Sequence, residues 1–422
     1  MTTPSIAVAK PTATQHDHPA EAVMSSWMTA CFATACGLVV ANVYYSQPIA
    51  GPIGASLGLS PAATGFIVTA TQVGFGTGLL LVVPLGDLVE NRRLVSILIG
   101  LTAVALLGAA LSTTPMSFLV SALLLGMGSV AVQVLVPYAA HMAPEALRGR
   151  VVGNVMSGVM IGIMLARPAS SFVTQIASWH AVFYISAASM VVLALSLRLG
   201  LPKRVPVARV TYGTLMKSMA YLALRTPILQ WRAFYQASLF GAFSIFWTTV
   251  PLLLIGPTFH LSQGGVALFA LAGGAGAIAA PVAGRLADIG WTRPATAFAI
   301  LAVAAAFLIT RFADDASGRS LAVLVAAAIL LDFGMTANLT LGQRAIFVLA
   351  AEFRSRFNGL YMAAFFAGGA AGSTLGGWAY ATGGWSLASW IGFGVPIAAL
   401  AFFLTEFLHP KPAALKSSVL ST

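Results

Sequence analysis

Charge is scarce in this sequence. Asp, Glu, Lys and Arg make up 8% of its 422 residues, against about 25% in an ordinary soluble domain, and so little charge cannot coat a water-soluble globule. Cysteine is nearly absent. Cys31 and Cys36 stand five residues apart and off a shared helix face, which argues against a disulfide between them and leaves both as small packing residues. No His or Cys pair has metal-ligand spacing, so neither a metal nor another cofactor is expected, and no Gly-x-x-x-x-Gly-Lys run offers a phosphate cradle. These absences argue against an enzyme and against a nucleotide-driven pump, so the energy for any work has to come from a gradient. The formal net charge is +11, yet the basic residues sit at the ends of apolar blocks and form no tract, which speaks against nucleic acid as a partner.

What is abundant is apolar length. Hydrophobic residues make up 59% of the chain and fall in blocks that approach or reach the roughly 20 residues a helix needs to cross a bilayer core. Lipid is therefore the solvent, and the expected fold is an all-α membrane protein. Punctuation between the blocks predicts twelve transmembrane helices, at 25–48, 61–84, 94–112, 117–141, 151–174, 181–199, 231–254, 264–284, 294–311, 320–343, 357–381 and 386–407. Ser60 before Pro61 and Thr114 before Pro115 read as cap and first-turn pairs.

An even number of spans with the N-terminus inside puts 19 of the 22 Lys and Arg residues in the tails and even-numbered connections, and only Arg311 and Arg319 on the other side. The positive-inside rule then makes both termini cytoplasmic, in the cell inner membrane. The organisation read from this is a disordered tail over 1–24, a six-helix bundle over 25–199, a cytoplasmic linker over 200–230, a second six-helix bundle over 231–407 and a tail over 408–422. Leu215, Met219 and Leu222 lie at helical spacing, so part of the linker is expected to rest on the membrane surface. A shift of 206 residues lays Arg148 and Arg150 on Arg354 and Arg356, Gly153 on Gly359, Gly162 on Gly368 and Trp179 on Trp385. With small gaps Asp87 matches Asp288. Such duplication is typical of transporters whose site lies between repeats near the midplane.

Gly284-Arg285-Leu286-Ala287-Asp288-Ile289-Gly290 resembles the Gly-x-Leu-Ala-Asp-x-x-Gly signature of major facilitator transporters. Gly86, Asp87, Arg92 and Arg93 sit in the first-half copy, which has Val83 and Asn91 at the two glycine positions. Physically, glycine lets helices approach and an acid at a helix end accepts bonds from amides and arginines, so the segment, with Arg148 and Arg354 beside the matching connections, reads as a gating latch. Gly158, Gly162, Arg167 and Pro168 resemble the glycine-rich stretch of antiporters in this superfamily, with Arg167 in place of a glycine. The same small residues also serve plain helix packing. The stretches 41–49 and 332–344 look similar to bacterial drug and sugar efflux members. The resemblance implies a six-plus-six bundle with a central cavity and alternating access. The expected function is proton-driven export of a small organic molecule, a drug or a sugar, by a monomer.

Ionisable residues inside a bilayer are functional candidates by default. Asp332 falls at mid-depth of its span and Arg167 nearer the outer side, and helix rise places the two at different depths. Asp332 is the candidate proton carrier, with a fixed structural hydrogen bond as the competing role. Arg167 would attract an organic anion, which supports proton-coupled import of an anion as an alternative to efflux. Asn42, Tyr45, Gln47, Gln72, Gln133, Gln236 and Asn338 either line a cavity or bond helix to helix. Phe243, Phe246, Trp247, Tyr361, Phe365 and Phe366 either wall a site for a hydrophobic solute or pack. Glu406 and His141, at span ends, are expected to be solvated.

Overall fold

A backbone immersed in lipid has to satisfy its own polar groups, and helices do so within each segment. The computed structural model describes residues 25–203, 211–313, 315–349 and 353–406, so the two tails and residues 204–210 of the linker lie outside the described residues. Its helices are α1 (Ser26–Ala41), α2 (Ser46–Leu57), α3 (Gly65–Leu81), α4 (Asn91–Ala110), α5 (Pro115–Ser129), α6 (Ala131–Met142), α7 (Arg148–Ile176), α8 (Trp179–Gly200), α9 (Tyr212–Arg225), α10 (Pro227–Ile255), α11 (Gln263–Ala270), α12 (Ala279–Asp288), α13 (Thr292–Ile309), α14 (Gly318–Phe347) and α15 (Arg354–Thr405).

Local chemistry sets several of these ends. Ser25, Thr114, Ser178, Ser262 and Ser317 each accept a bond from an amide three residues on, satisfying one of the donors a helix start leaves orphaned. Ser60 caps only a 3-10 turn, Pro61–Ala63, without a side-chain bond. The first span runs to Leu57 rather than ending at 48. Its two helices meet at a turn over 42–45, and Pro48, in the first turn of α2, has an amide position that needs no partner.

Among the described residues, eleven helical segments are long and apolar enough to cross a membrane. The last, α15, has 52 residues and would extend about 78 Å if straight, against about 30 Å of bilayer core. Gly383 and Gly384 leave helical geometry, Gly384 at φ 61°, a conformation that favours glycine. The chain reverses there. A Cβ on Gly368 would meet Ala237, the Trp385 ring meets Phe246, and the Phe403 ring is back beside Tyr235. Two spans are thus merged in α15, which makes twelve among the described residues.

The helices form two six-helix halves. In the first, α1 packs on α7, α3 on α5 and α4 on α8; in the second, α10 packs on α15 and α13 on α14. At helix ends the 206-residue repeat holds to within one residue. Arg148 Nε donates to the Ala140 carbonyl at 3.1 Å and Arg354 Nε to the Phe347 carbonyl at 3.0 Å. Inside the helices it slips by one turn. A Cβ on Gly158 or Gly162 would stand 2.2 Å from the carbonyl oxygen of Ala33 or Gly37, and one on Gly368 or Gly372 would stand 2.0 or 2.1 Å from that of Ala237 or Gly241. The packing counterpart of Gly162 is therefore Gly372, not Gly368.

Between halves, α3 runs along α15 and α7 touches α11. Away from the arginine-rich connections the seam is tight: Thr69 Oγ1 bonds Ser373 and Thr374 at 2.7 and 2.8 Å, and the Gly264 amide donates to Gln175 at 3.1 Å. At the basic end a small cleft lies between Asp87, Met219 of α9 and Arg356. The linker helix α9 buries Leu215, Met219 and Leu222 against protein, so it is packed rather than merely resting on lipid. It reaches both halves, with Tyr212 Oη donating to Leu81 and Arg356 donating to Ser218 at 2.9 and 2.8 Å.

Candidate functional site

Asp332 is the fifteenth of the 30 residues of α14, and it faces the seam between halves. Its Oδ1 accepts the indole N–H of Trp247, from α10, at 2.9 Å. Arg167, from α7 in the other half, donates through Nε to Gln47 Oε1 of α2 at 2.8 Å. Its guanidinium lies 4.4 Å from the Trp247 ring centre, 5.0 Å from Phe243 and 5.3 Å from Tyr44, an arrangement in which ring quadrupoles hold a cation. Arg167 is 2% and Asp332 4% exposed.

These two side chains are close despite coming from different depths of their spans. A Cβ built on Gly273 would lie 2.8 Å from Asp332 Oδ2 and 3.3 Å from Arg167 Nη1, so the two charged atoms stand within about 6 Å of each other. Opposite charges that near interact strongly in a low-dielectric interior. The long arginine side chain makes up the difference in backbone height. Gly273 and Gly276 belong to a 3-10 stretch, Leu271–Ile278, that joins α11 to α12, and Gly276 presses on the Asp332 backbone. Sequence reasoning did not single out these glycines; the run 273–276, two glycines and then a third inside an apolar span, was the available signal.

The other polar candidates divide. Gln47 joins the cluster. Asn42 does not: it accepts from Ser186 at 2.5 Å and donates to Leu38 and Met190, which makes it a bond between helices of the first half. Tyr45 is half-buried beside the same Ser186. Gln133 is half-buried on α6. Gln236 and Asn338 bond each other at 2.7 Å inside the second half, while Gln72 crosses the seam to Ser244 at 3.2 Å.

At the basic end Arg344 bonds both Asp288 and the Gly284 carbonyl, linking the signature segment to α14. Asp87 and Arg93 are exposed, Gly86 is buried, and Arg92 donates to the Leu201 carbonyl at 3.0 Å. Glu406 departs from expectation. It is buried, 3.7 Å from Arg232 and 3.5 Å from Arg293, and accepts from Tyr235 at 3.3 Å. Its place at the end of an apolar block gave no hint of arginines waiting on α10 and α13. His141 is exposed, as expected.

The family profile of the Major Facilitator Superfamily matches residues 28–318 and 233–420. The chain is a member of the major facilitator superfamily. Among relatives in this superfamily, the uncharacterized transporter YgaY of Escherichia coli O157:H7 is 35% identical over 352 residues, covering 83% of this chain and 88% of that one. A Streptomyces coelicolor chain named as a transporter, SCO4007, is 33% identical over 354 residues, covering 82% and 80%. In fold the chain is similar to the nucleoside transporter NupG, with TM-score 0.70 at 16% identity over 90% of this chain and 99% of that one. It is likewise similar to a POT family transporter in complex with 5-aminolevulinic acid, with TM-score 0.69 at 13% identity over 89% and 95%. The major facilitator chain described here is thus a multi-pass membrane transporter of a small molecule, and not an enzyme.

Proposed function

We propose that the protein is a proton-coupled secondary transporter that exports a small organic solute by alternating access, with Asp332 as the proton site and Arg167 as its partner charge. The observation that carries this reading is the burial of Asp332, Arg167 and Trp247 together on the seam between halves. A carboxylate and a guanidinium on opposite halves change their mutual distance whenever the halves rock, so protonation and conformation are coupled. Open to the outside, Asp332 takes up a proton and loosens its hold on solute and on Arg167. Open to the inside, it releases the proton and re-engages them.

The Asp288 to Arg344 pair and Asp87 at the basic end serve as latches that differ between conformations, and that end faces the cytoplasm with both termini in the inner membrane. The working unit is the monomer, divided at the 200–230 linker. Export is favoured by the likeness of stretches 41–49 and 332–344 to drug and sugar efflux members. Proton-coupled import of an organic anion is the second reading, favoured by a buried Arg167 with an amino group to spare. The test is a solute panel presented to proteoliposomes with an imposed pH gradient and an interior pH dye. A solute whose movement carries protons supports the proposal. Solute flux indifferent to the pH gradient overturns it.

A further inference from the structure

Arg167 Nη2 and Gln47 Nε2 are both buried donors that find no acceptor among the described residues. They belong to one hydrogen-bonded pair, since Arg167 Nε donates to Gln47 Oε1. A buried charged donor left without an acceptor is costly, so such a pair fits an acceptor that comes and goes. Asp332 is not that acceptor. Its Oδ1 accepts from Trp247, and neither of its oxygens bonds Nη2.

The guanidinium carbon lies over the rings of Tyr44, Phe243 and Trp247, which offer it no hydrogen-bond acceptor, and a carboxylate engages arginine through its N–H groups. From Phe243 a column of rings leads away along the seam. Phe240 stacks on Phe243 at 5.2 Å and on Phe365 at 3.6 Å, and Phe366 reaches Phe75 of the other half at 4.3 Å. Sugar hydroxyls would find no partners on such a wall, whereas a planar apolar ring can take the place of one ring in the stack.

We propose that the Arg167 and Gln47 pair holds the carboxylate of an aromatic monocarboxylate whose ring lies along the phenylalanine column of α10 and α15. The proposal rests on the second transport reading above, proton-coupled import of an organic anion, and names its substrate class. Charge count agrees with one carboxylate. With Asp332 protonated the cluster carries a single positive charge, which one carboxylate neutralises and a dicarboxylate would over-fill.

The test uses the purified full-length protein at fixed pH, with thermal stabilisation as the readout. The probes are benzoate, phenylacetate, cinnamate and indole-3-acetate, each beside its neutral amide. At least one acid stabilises wild type, with an apparent Kd at least tenfold below that of its amide. Arg167→Gln and Gln47→Leu each weaken that acid at least tenfold, and Phe243→Leu weakens aromatic acids more than butyrate. Should Arg167→Gln not fold, the acid and amide comparison on wild type still decides. No stabilisation by any acid, equal stabilisation by the amides, or unchanged affinity in both polar variants overturns the proposal. The two readings fail separately. Proton-driven movement of a neutral solute without acid binding sinks only this inference, and acid binding without proton-coupled flux sinks only the coupling.

Discussion

Two ion pairs of similar chemistry have opposite expected worth because their burial differs. Arg232 and Glu406 side chains are each 8% exposed. Glu406→Gln leaves Arg232 inside without a carboxylate, a loss on the order of 3 kcal/mol for a broken buried pair. Thermal unfolding of the purified variant should therefore shift down by several degrees, and an unchanged midpoint would refute a structural role for the cluster. Asp288 and Arg344 are 64% and 45% exposed, where solvent screens the pair and little stability is at stake. Asp288→Asn and Asp87→Asn should keep the wild-type melting point and slow transport several-fold; wild-type turnover in both would remove the latch. Which single residues matter was partly legible in the sequence. Asp332 and Arg167 stood out because charge inside an apolar block is rare. Glu406 did not, because its burial depends on arginines from two distant helices.

Elements were easier to read than their mutual register. Apolar blocks gave all twelve spans, since bilayer thickness fixes how much apolar length is needed, and the Gly383 break inside α15 coincides with the gap between 381 and 386. What escaped was packing. Depth arithmetic along ideal helices separated Asp332 from Arg167, but side-chain reach and the close fit at Gly273 bring them together. A constant shift aligned the repeats, yet α15 sits one turn away from where α7 would place its glycines. The contact chemistry predicts the consequence. Gly162→Leu or Gly372→Leu drives a side chain into a facing backbone carbonyl and should cost about 1–3 kcal/mol or more by overpacking. Gly153→Ala, whose Cβ would meet nothing within 4 Å, should melt like wild type. Equal melting points across the three variants, read by a thiol-reactive unfolding dye, would contradict the one-turn slip and the close α1–α7 and α10–α15 packing.

For the molecule as a whole, the charge asymmetry and the seam make separate claims. If the basic end is cytoplasmic, a cysteine at Ser317 in a background lacking Cys31 and Cys36 labels from outside intact cells, and one at Gly213 on α9 labels only after permeabilisation. The reverse pattern would invert the topology without touching the fold. The central claim is that protons and solute are coupled through Asp332 on the seam, where both halves contribute to one buried cluster. The most direct measurement is solute movement in proteoliposomes carrying wild type or Asp332→Asn, with and without an imposed pH gradient, once the variant is shown to be monodisperse. The predicted result is loss of uphill, proton-driven accumulation in Asp332→Asn while downhill flux or solute exchange persists. Undiminished proton-driven accumulation in that variant would contradict the account.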